Sequence, residues 1–179
     1  MSNLRESIGK RVLKSRKKGL TRQVRVHNFN TARSAVLLFD TGNRESFQVI
    51  KDFRNFLEEK GIRCSAYGYV AEKEIPQEML FWKNYSFITR KNLNWYMKPA
   101  GEAVDAFYGD NPDILFDFTL GHALELQFLV QLSGARFKVG CYTELENDYD
   151  LMINLTQQCN VETLAEQFKR YIGMLEPAN

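Results

Sequence analysis

Residues 113–140 read DILFDFTLGHALELQFLVQLSGARFKVG, and they contain a complete strand–helix–strand unit. The apolar run ILF lies between Asp113 and Asp117, which is typical of a short strand that is buried on both faces. Leucine and phenylalanine recur through residues 122–132 and predict a helix that packs on a sheet. A small Ser-Gly-Ala turn follows, and residues 137–141 predict the next strand.

The same alternation extends in both directions from this unit. The run SAVLLFD at Ser34–Asp40 predicts another buried strand, and an amphipathic helix follows it to Lys60. The remaining predicted strands are 62–70, 85–89 and 149–155, and the remaining predicted helices of the body are 101–108 and 161–175. Alternating strands and helices pair in parallel. We therefore predict one doubly wound, Rossmann-like α/β domain over residues 34–179, with a mainly parallel sheet of five or six strands.

A basic helical arm, residues 1–33, precedes this domain. Helical spacing of apolar residues runs through residues 2–18, and residues 23–29 predict a short extended segment or edge strand. Residues 1–34 hold ten of the 24 Lys and Arg residues and one of the 22 acids, a charge of +9. The rest holds 14 bases and 21 acids, a charge of −7. A basic arm on an acidic body is a functional signal.

Composition excludes several classes of protein. No stretch reaches the ~18 apolar residues that a membrane helix needs, and the polar N-terminus does not resemble a secretory signal. The three cysteines are far apart and odd in number, which indicates reduced thiols and no zinc site. We expect a cytoplasmic protein with no metal and no cofactor.

The best candidate pocket lies where two predicted strands end. If the strands that end at Asp40 and Asp117 are neighbours, the loops 40–43 and 119–122 line one crevice at a switch in strand order. The candidate ligand-binding residues there are Asp40, Thr41, Gly42 and Asn43. Both loops precede helix N-termini, which favour anions. The alternative is that they are ordinary turns with capping residues, because neither has the multi-glycine spacing of a pyrophosphate loop.

Asp117 and His122 are the weak candidates for catalysis. Asp117 lies near the carboxyl end of its strand, and His122 is one of two histidines in the chain. His122 and Glu125 are three residues apart on a helix and could face each other. A lone capping histidine is the commoner case, and no Ser-His-Asp order or phosphate-binding loop is present. Whether the protein is an enzyme stays undecided, with the balance against it.

Other acids beside strands have structural explanations. Asp113 and Asp117 point to the same face but lie ~13 Å apart, too far to act as a pair. Asp148 and Asp150 have the D-x-D spacing of a metal pair, but Asp150 begins a strand. We interpret Asp113 and Asp150 as residues that introduce strands.

The basic arm is the strongest feature outside the core. The candidate polyanion-binding residues are Arg11, Lys14, Arg16, Lys17, Lys18 and Arg22. Such a charge density predicts strongly salt-dependent binding of RNA or DNA. An anionic membrane surface fits less well, since the helix has a thin apolar face and no aromatic anchor. The arm could instead dock on the acidic body of its own chain or of a partner subunit.

An aromatic-rich middle adds one further alternative. Phe81, Trp82, Tyr85, Trp95, Tyr96 and Phe107 alternate with basic residues. Such rings could stack on nucleic-acid bases. More often they cover one face of a sheet, which is the interpretation that we favour.

Four segments carry a resemblance: FITRKNLNWYMKP, DILFDFTL, LSGARFKVGCY and YDLMINL, followed by the closing helix. Together they resemble an uncharacterised family of small Bacteroidota proteins, a domain of unknown function, over nearly the whole chain. DILFDFTL and SGARFKVG are also distantly similar to the N-terminal half of the lipopolysaccharide heptosyltransferases. That resemblance implies a Rossmann-like fold. Those enzymes use two such domains and this chain has one, so the resemblance argues against a complete glycosyltransferase.

The leading functional hypothesis is a non-enzymatic binding or adaptor protein. Its basic helix would contact the phosphates of RNA or a ribonucleoprotein. The alternatives are an enzyme, or enzyme relic, that binds a nucleotide or sugar phosphate in the crevice, and a peripheral membrane protein. The sequence does not determine the oligomeric state.

Overall fold

The structure is a computed structural model that describes residues 2–42, 44–121, 123–155 and 160–177, with the backbone alone for residues 2, 3, 44 and 45. The helices are α1 Ser2–Lys18, α2 Arg44–Glu59, α3 Glu102–Gly109, α4 Leu124–Leu132 and α5 Val161–Met174. The strands are β1 Ser34–Asp40, β2 Arg63–Val70, β3 Tyr85–Thr89, β4 Ile114–Asp117, β5 Phe137–Cys141 and β6 Leu151–Ile153. Short 3-10 helices cover Gln77–Phe81 and Arg90–Asn92.

The six strands of the described chain form one sheet in the order β3-β2-β1-β4-β5-β6. Every neighbouring pair is parallel. The order reverses between β1 and β4, where Leu38 lies opposite Asp117. These observations confirm the predicted doubly wound α/β fold, with six strands, and they meet the condition for the crevice, that the first and fourth strands are neighbours.

Both faces of the sheet are covered, as the continuous apolar runs predicted. Leu37 and Phe39 of β1 point to one face and join a core with α2 and α5. Val36 and Leu38 point to the other face and pack against α3 and α4. Side chains alternate along a strand, so a strand with five consecutive buried residues must lie between two helical layers.

The predicted helix over residues 2–18 is present as α1 and forms an outer layer on α4. Leu13 of α1 is buried against Leu124 and Phe128. Gly9 permits the close approach: a Cβ added there would lie 2.5 Å from the Tyr96 carbonyl oxygen and 2.6 Å from Leu124 Cδ2. The basic helix is therefore docked on the body.

The chain between α1 and β1 also joins the body. Phe29 and Ala32, which belong to the sequence-defined arm, are buried in the core beneath α2 and α5. The prediction of an edge strand over residues 23–29 is wrong. The Arg25 N–H donates a backbone hydrogen bond to the carbonyl of Arg136, in the loop before β5. No other backbone hydrogen bond joins the segment to the sheet in the described structure. Val24 and Val26 face solvent, and Phe29 at the end of the segment is its one buried apolar side chain, so no alternating apolar face holds the segment in a strand register.

Candidate functional site

The crevice predicted at the switch in strand order is present. It has a volume of about 310 Å³. Its lining residues are Asp40, Gly42, Ser46, Phe118, Leu120, Gly121, Asn160 and Val161. The loops after β1 and β4 therefore meet, as they must when parallel neighbours end at the same edge. Asn43 and His122, which were predicted for this site, lie outside the described residues.

The described wall of the crevice is poorly suited to an anion. Asp40 is its one charged side chain in the described ranges, and the charge is negative. The Asp40 carboxylate accepts a hydrogen bond from the Gly42 N–H at 2.7 Å, which closes a local turn. Thr41 is buried and donates its hydroxyl proton to the Tyr69 carbonyl at 3.0 Å. These contacts are those of a capped turn.

Asp117 is buried and lines a different and smaller cavity, of about 30 Å³. Its Oδ1 accepts hydrogen bonds from the Thr119 N–H at 2.8 Å and the Thr119 hydroxyl at 2.6 Å. Its Oδ2 accepts a short hydrogen bond from the Tyr149 hydroxyl. Burial and the adjacent Asp117 charge raise the pKa of Tyr149 far above its usual value. Asp117 thus holds the loop after β4 to the loop before β6.

Glu125, which the sequence suggested could face His122, lies in the first turn of α4. Its Oε1 accepts a hydrogen bond from the Tyr69 hydroxyl at 2.7 Å. Its buried Oε2 has no hydrogen-bond partner among the residues that the structure describes. Glu125 and Asp117 are held by tyrosines from different elements, Tyr69 and Tyr149.

Two of the six predicted polyanion-binding residues bind the chain itself. Lys17 donates to the Asn147 carbonyl at 3.2 Å and lies 3.2 Å from an Asp148 oxygen. Arg22 binds both oxygens of Asp150, at 2.7 and 2.8 Å. These contacts agree with the alternative in which the arm docks on the acidic body of its own chain.

The other four, Arg11, Lys14, Arg16 and Lys18, are exposed and form no ion pair with any described residue. Positions 11, 14 and 18 share one side of a helix, opposite to the buried Gly9 and Leu13. The helix therefore presents a stripe of three cations to solvent.

Three adjoining depressions run along α1. The first, of about 650 Å³, is lined by Arg5, Glu6, Lys73, Arg90, Leu93, Asn94 and Met97. The second, of about 390 Å³, is lined by Glu6, Ser7, Lys10 and Arg11. The third, of about 330 Å³, is lined by Lys10, Arg11, Leu13, Lys14, Gln127, Gln131, Leu145 and Glu146. Neighbouring depressions share residues, so we treat them as one surface and call it the α1 groove.

Cations dominate the α1 groove. Arg5, Lys10, Arg11, Lys14, Lys73 and Arg90 line it, against two acids. One of the acids, Glu6, lies 2.6 Å from Lys10. Sequence reasoning missed Lys73 and considered Arg90 only as a basic residue of the aromatic-rich middle, because both are remote from the arm in sequence. Their position directly after β2 and β3 was the available signal, since loops at that edge of a parallel sheet commonly bind ligands.

A second missed residue is Lys138, whose side chain is fully buried in β5. Its ammonium group donates to Asp148 at 2.6 Å and to the Gln131 carbonyl at 3.3 Å. Burial lowers the pKa of Lys138 to about 8, although Asp148 opposes that shift. Asp148 and Asp150 are thus occupied by the chain's own cations. No group of three metal-ligating side chains occurs within the described ranges.

The aromatic residues divide between core and surface. Phe107 is buried, and Trp82 stacks on Phe47 of α2. Trp95 exposes 57% of its surface, while its carbonyl accepts a hydrogen bond from Arg5. Trp95 is thus an exposed aromatic residue whose backbone contacts Arg5 of the α1 groove.

Comparison with other proteins extends these observations. No helix in the described part of the chain has both the length and the apolar character to cross a membrane. None of the curated proteins matches the chain. The distant similarity to heptosyltransferases stays a prediction. The sequence pattern of one family, described as a family of unknown function (DUF6913), matches residues 5–175. The chain belongs to this family.

Proposed function

We propose that the protein is a non-enzymatic binding or adaptor protein that holds the phosphate backbone of RNA, free or in a ribonucleoprotein, in the α1 groove. The observation that carries this proposal is the row of exposed cations without acidic partners in the described structure, above all Arg11 and Lys14. The body carries a charge of −7. Two of its acids, Asp148 and Asp150, pair with Lys17 and Arg22, and no described acid forms an ion pair with the outward stripe.

Rigid docking of α1 supports the proposal. Gly9 and Leu13 hold the helix against α4, so the cations are presented at fixed spacing. Arg5 and Lys14 are nine residues apart, about 13 Å along a helix. A preorganised row loses less conformational entropy on binding than a flexible tail does.

The same features favour phosphate contacts over base recognition. Lysine and arginine on an open surface neutralise phosphates without regard to sequence. The exposed indole of Trp95 could stack on a base, and such stacking also tolerates any sequence. We therefore expect binding of single-stranded RNA with weak sequence preference.

The test removes charge by substitution. Truncation before Ser34 would also remove Phe29 and Ala32 from the core, so a loss of binding would be ambiguous. The test variant is Arg11→Gln/Lys14→Gln/Lys18→Gln, which removes two cations that line the groove and Lys18, the third cation of the stripe on the same side of α1. The matched control is Lys51→Gln/Arg63→Gln/Lys83→Gln, which removes the same charge from exposed positions outside the groove.

Binding of a single-stranded RNA is titrated at several salt concentrations. Each lost phosphate contact reduces the slope of log affinity against log salt by about 0.7 for single strands. We expect the test variant to lose about two units of slope and the control to keep the wild-type slope. Equal affinity of test variant and wild type would reject the RNA role and leave α1 as a structural helix.

A second candidate function, a nucleotide- or sugar-phosphate-binding enzyme or enzyme relic, rests on the position of the crevice, while the negative charge of Asp40 opposes a phosphate there. The cavity of about 310 Å³ lies at the switch between β1 and β4, the usual ligand position in such sheets. Asp40 would accept hydrogen bonds from ligand hydroxyls. A thermal-shift screen of nucleotides and sugar nucleotides tests it, because a ligand of the folded state raises the melting temperature. Absence of any shift would remove this candidate.

A further inference from the structure

The first depression of the α1 groove differs from the rest of the surface, and we call it the end cleft. Three separate elements supply its cations: Arg5 from α1, Lys73 from the loop after β2, and Arg90 directly after β3. All three are exposed. The cleft has a volume of about 650 Å³, which is large enough for a nucleotide.

The charge of the end cleft is strongly positive. Its one lining acid, Glu6, is engaged by Lys10 at 2.6 Å. The nearby acid Glu74 is engaged by Lys91 at 2.9 Å. Glu6 and Glu74 thus have other partners, while Lys73 and Arg90 form no ion pair with an acid among the described residues.

One wall of the end cleft is apolar and preorganised. Leu93 and Met97 lie on either side of a tight loop. Asn94 Oδ1 closes this loop by accepting hydrogen bonds from the N–H groups of Tyr96 and Lys98, at 3.1 and 3.0 Å. Met97 has a φ of +68°, a left-handed conformation that the surrounding loop must hold in place. The wall therefore needs little rearrangement to meet a ligand.

We propose that the end cleft binds a terminal phosphate group of a nucleotide, with Leu93 and Met97 against the adjoining nucleoside. A terminal phosphate carries about 1.5 to 2 negative charges near neutral pH. An internal phosphate of a strand carries one. Three cations that line one cleft at the end of a groove therefore favour a strand terminus over its interior. The inference rests on the proposed RNA function where the nucleotide is the end of a strand; a free mononucleotide has the same chemistry.

The first arm of the experiment compares two RNAs of one sequence, one with a 5′-phosphate and one with a 5′-hydroxyl. We expect the wild type to bind the phosphorylated RNA about tenfold more tightly, as charge-assisted hydrogen bonds to a dianion imply. Lys73→Gln/Arg90→Gln should abolish this preference while still binding the hydroxyl RNA. The matched control Arg63→Gln/Lys83→Gln should retain the preference.

The second arm measures the melting temperature with adenosine 5′-monophosphate and, separately, with inorganic phosphate. A shift with the mononucleotide that exceeds the shift with phosphate, and that Lys73→Gln/Arg90→Gln removes, supports the cleft even if RNA does not bind. In that case the RNA function fails and the cleft stands as a mononucleotide site. If RNA binds but its two forms bind equally and the mononucleotide gives no shift, the cleft is overturned and the RNA function stands.

Discussion

The ammonium group of Lys138 lies 2.6 Å from Oδ2 of Asp148, with the lysine side chain fully buried. Asp148 also lies 3.2 Å from Lys17 and 3.7 Å from Arg22. This one carboxylate therefore joins β5 to α1 and to the segment after α1. The network holds the basic helix on the body and decides which of its cations remain free.

We expect Asp148→Asn to destabilise the protein by about 3–5 kcal/mol, because it leaves the Lys138 charge buried without an anion. Lys138→Met should cost far less, since methionine fills similar volume and Asp148 keeps Lys17 and Arg22 as partners. The double variant should recover most of the loss. Denaturant unfolding of the four proteins gives the coupling energy. Equal destabilisation by the two single variants would contradict a buried charge pair.

Lys138 also predicts how stability depends on pH. Its pKa falls from 10.5 to about 8 in the folded protein, chiefly through burial. Between these values the unfolded chain holds the additional proton, so the free energy of unfolding rises with pH. From pH 7.5 to 9.5 we expect a gain of about 2 kcal/mol in the wild type relative to Lys138→Met. If the free energy of unfolding changes equally with pH in the two proteins across this window, Lys138 does not titrate there.

Gly9 predicts a way to loosen α1 without changing its charge. In Gly9→Ala, the new methyl would overlap the Tyr96 carbonyl and Leu124, so the helix must move away from α4. Overpacking of this kind costs about 1–3 kcal/mol. We expect faster hydrogen exchange at the amides of α1, with the sheet unaffected. The control is Gly109→Ala, where an added Cβ meets no atom within 4 Å. Unchanged exchange in α1 would mean that the close approach is not required.

Asp113 predicts a contribution to acid sensitivity. Burial alone would raise its pKa, but the N–H groups of Arg33 and Ser34 and the charges of His27 and Arg136 hold it below the usual value. A carboxylate with a depressed pKa stabilises the fold above about pH 4 and loses that contribution as pH falls further. Asp113→Asn should therefore cost about 2 kcal/mol at neutral pH. The variant should also lose less stability than the wild type between pH 4 and 2, as measured by unfolding. An equal acid loss would exclude this role for Asp113.

Local pattern was sufficient for the strands and helices of the body. The bounds of β1, β3 and β5 agree with the sequence prediction because turn residues and charges interrupt their apolar runs. Over residues 23–29 the local pattern gave a wrong prediction, an edge strand. Val24 and Val26 alternate like strand residues, but no neighbouring surface covers them. Whether other elements bury a segment depends on the tertiary structure, so the sequence of the segment alone does not predict it.

The candidate site was predicted only in part, because the tertiary structure brings together residues that local spacing does not relate. The charge density of the arm identified Arg11, Lys14 and Lys18 among six candidate residues, and the structure places these three on one side of α1. Residue spacing did not indicate that Lys73 and Arg90 belong to this site, because the order of the strands in the sheet brings them to the α1 groove. Asp40 and Asp117 were both expected near the crevice, but their side chains line different cavities because each closes its own loop.

The sequence by itself determined the alternation of strands and helices, and with it the α/β class, because apolar periodicity and turn residues act over short distances. The tertiary structure decided which charges are available to a partner. Lys17 and Lys18 are adjacent and chemically identical, yet Lys17 lies against Asp148 while Lys18 is exposed. A turn of 100° per residue separates their directions, and the position of a loop 130 residues away determines which of the two is paired.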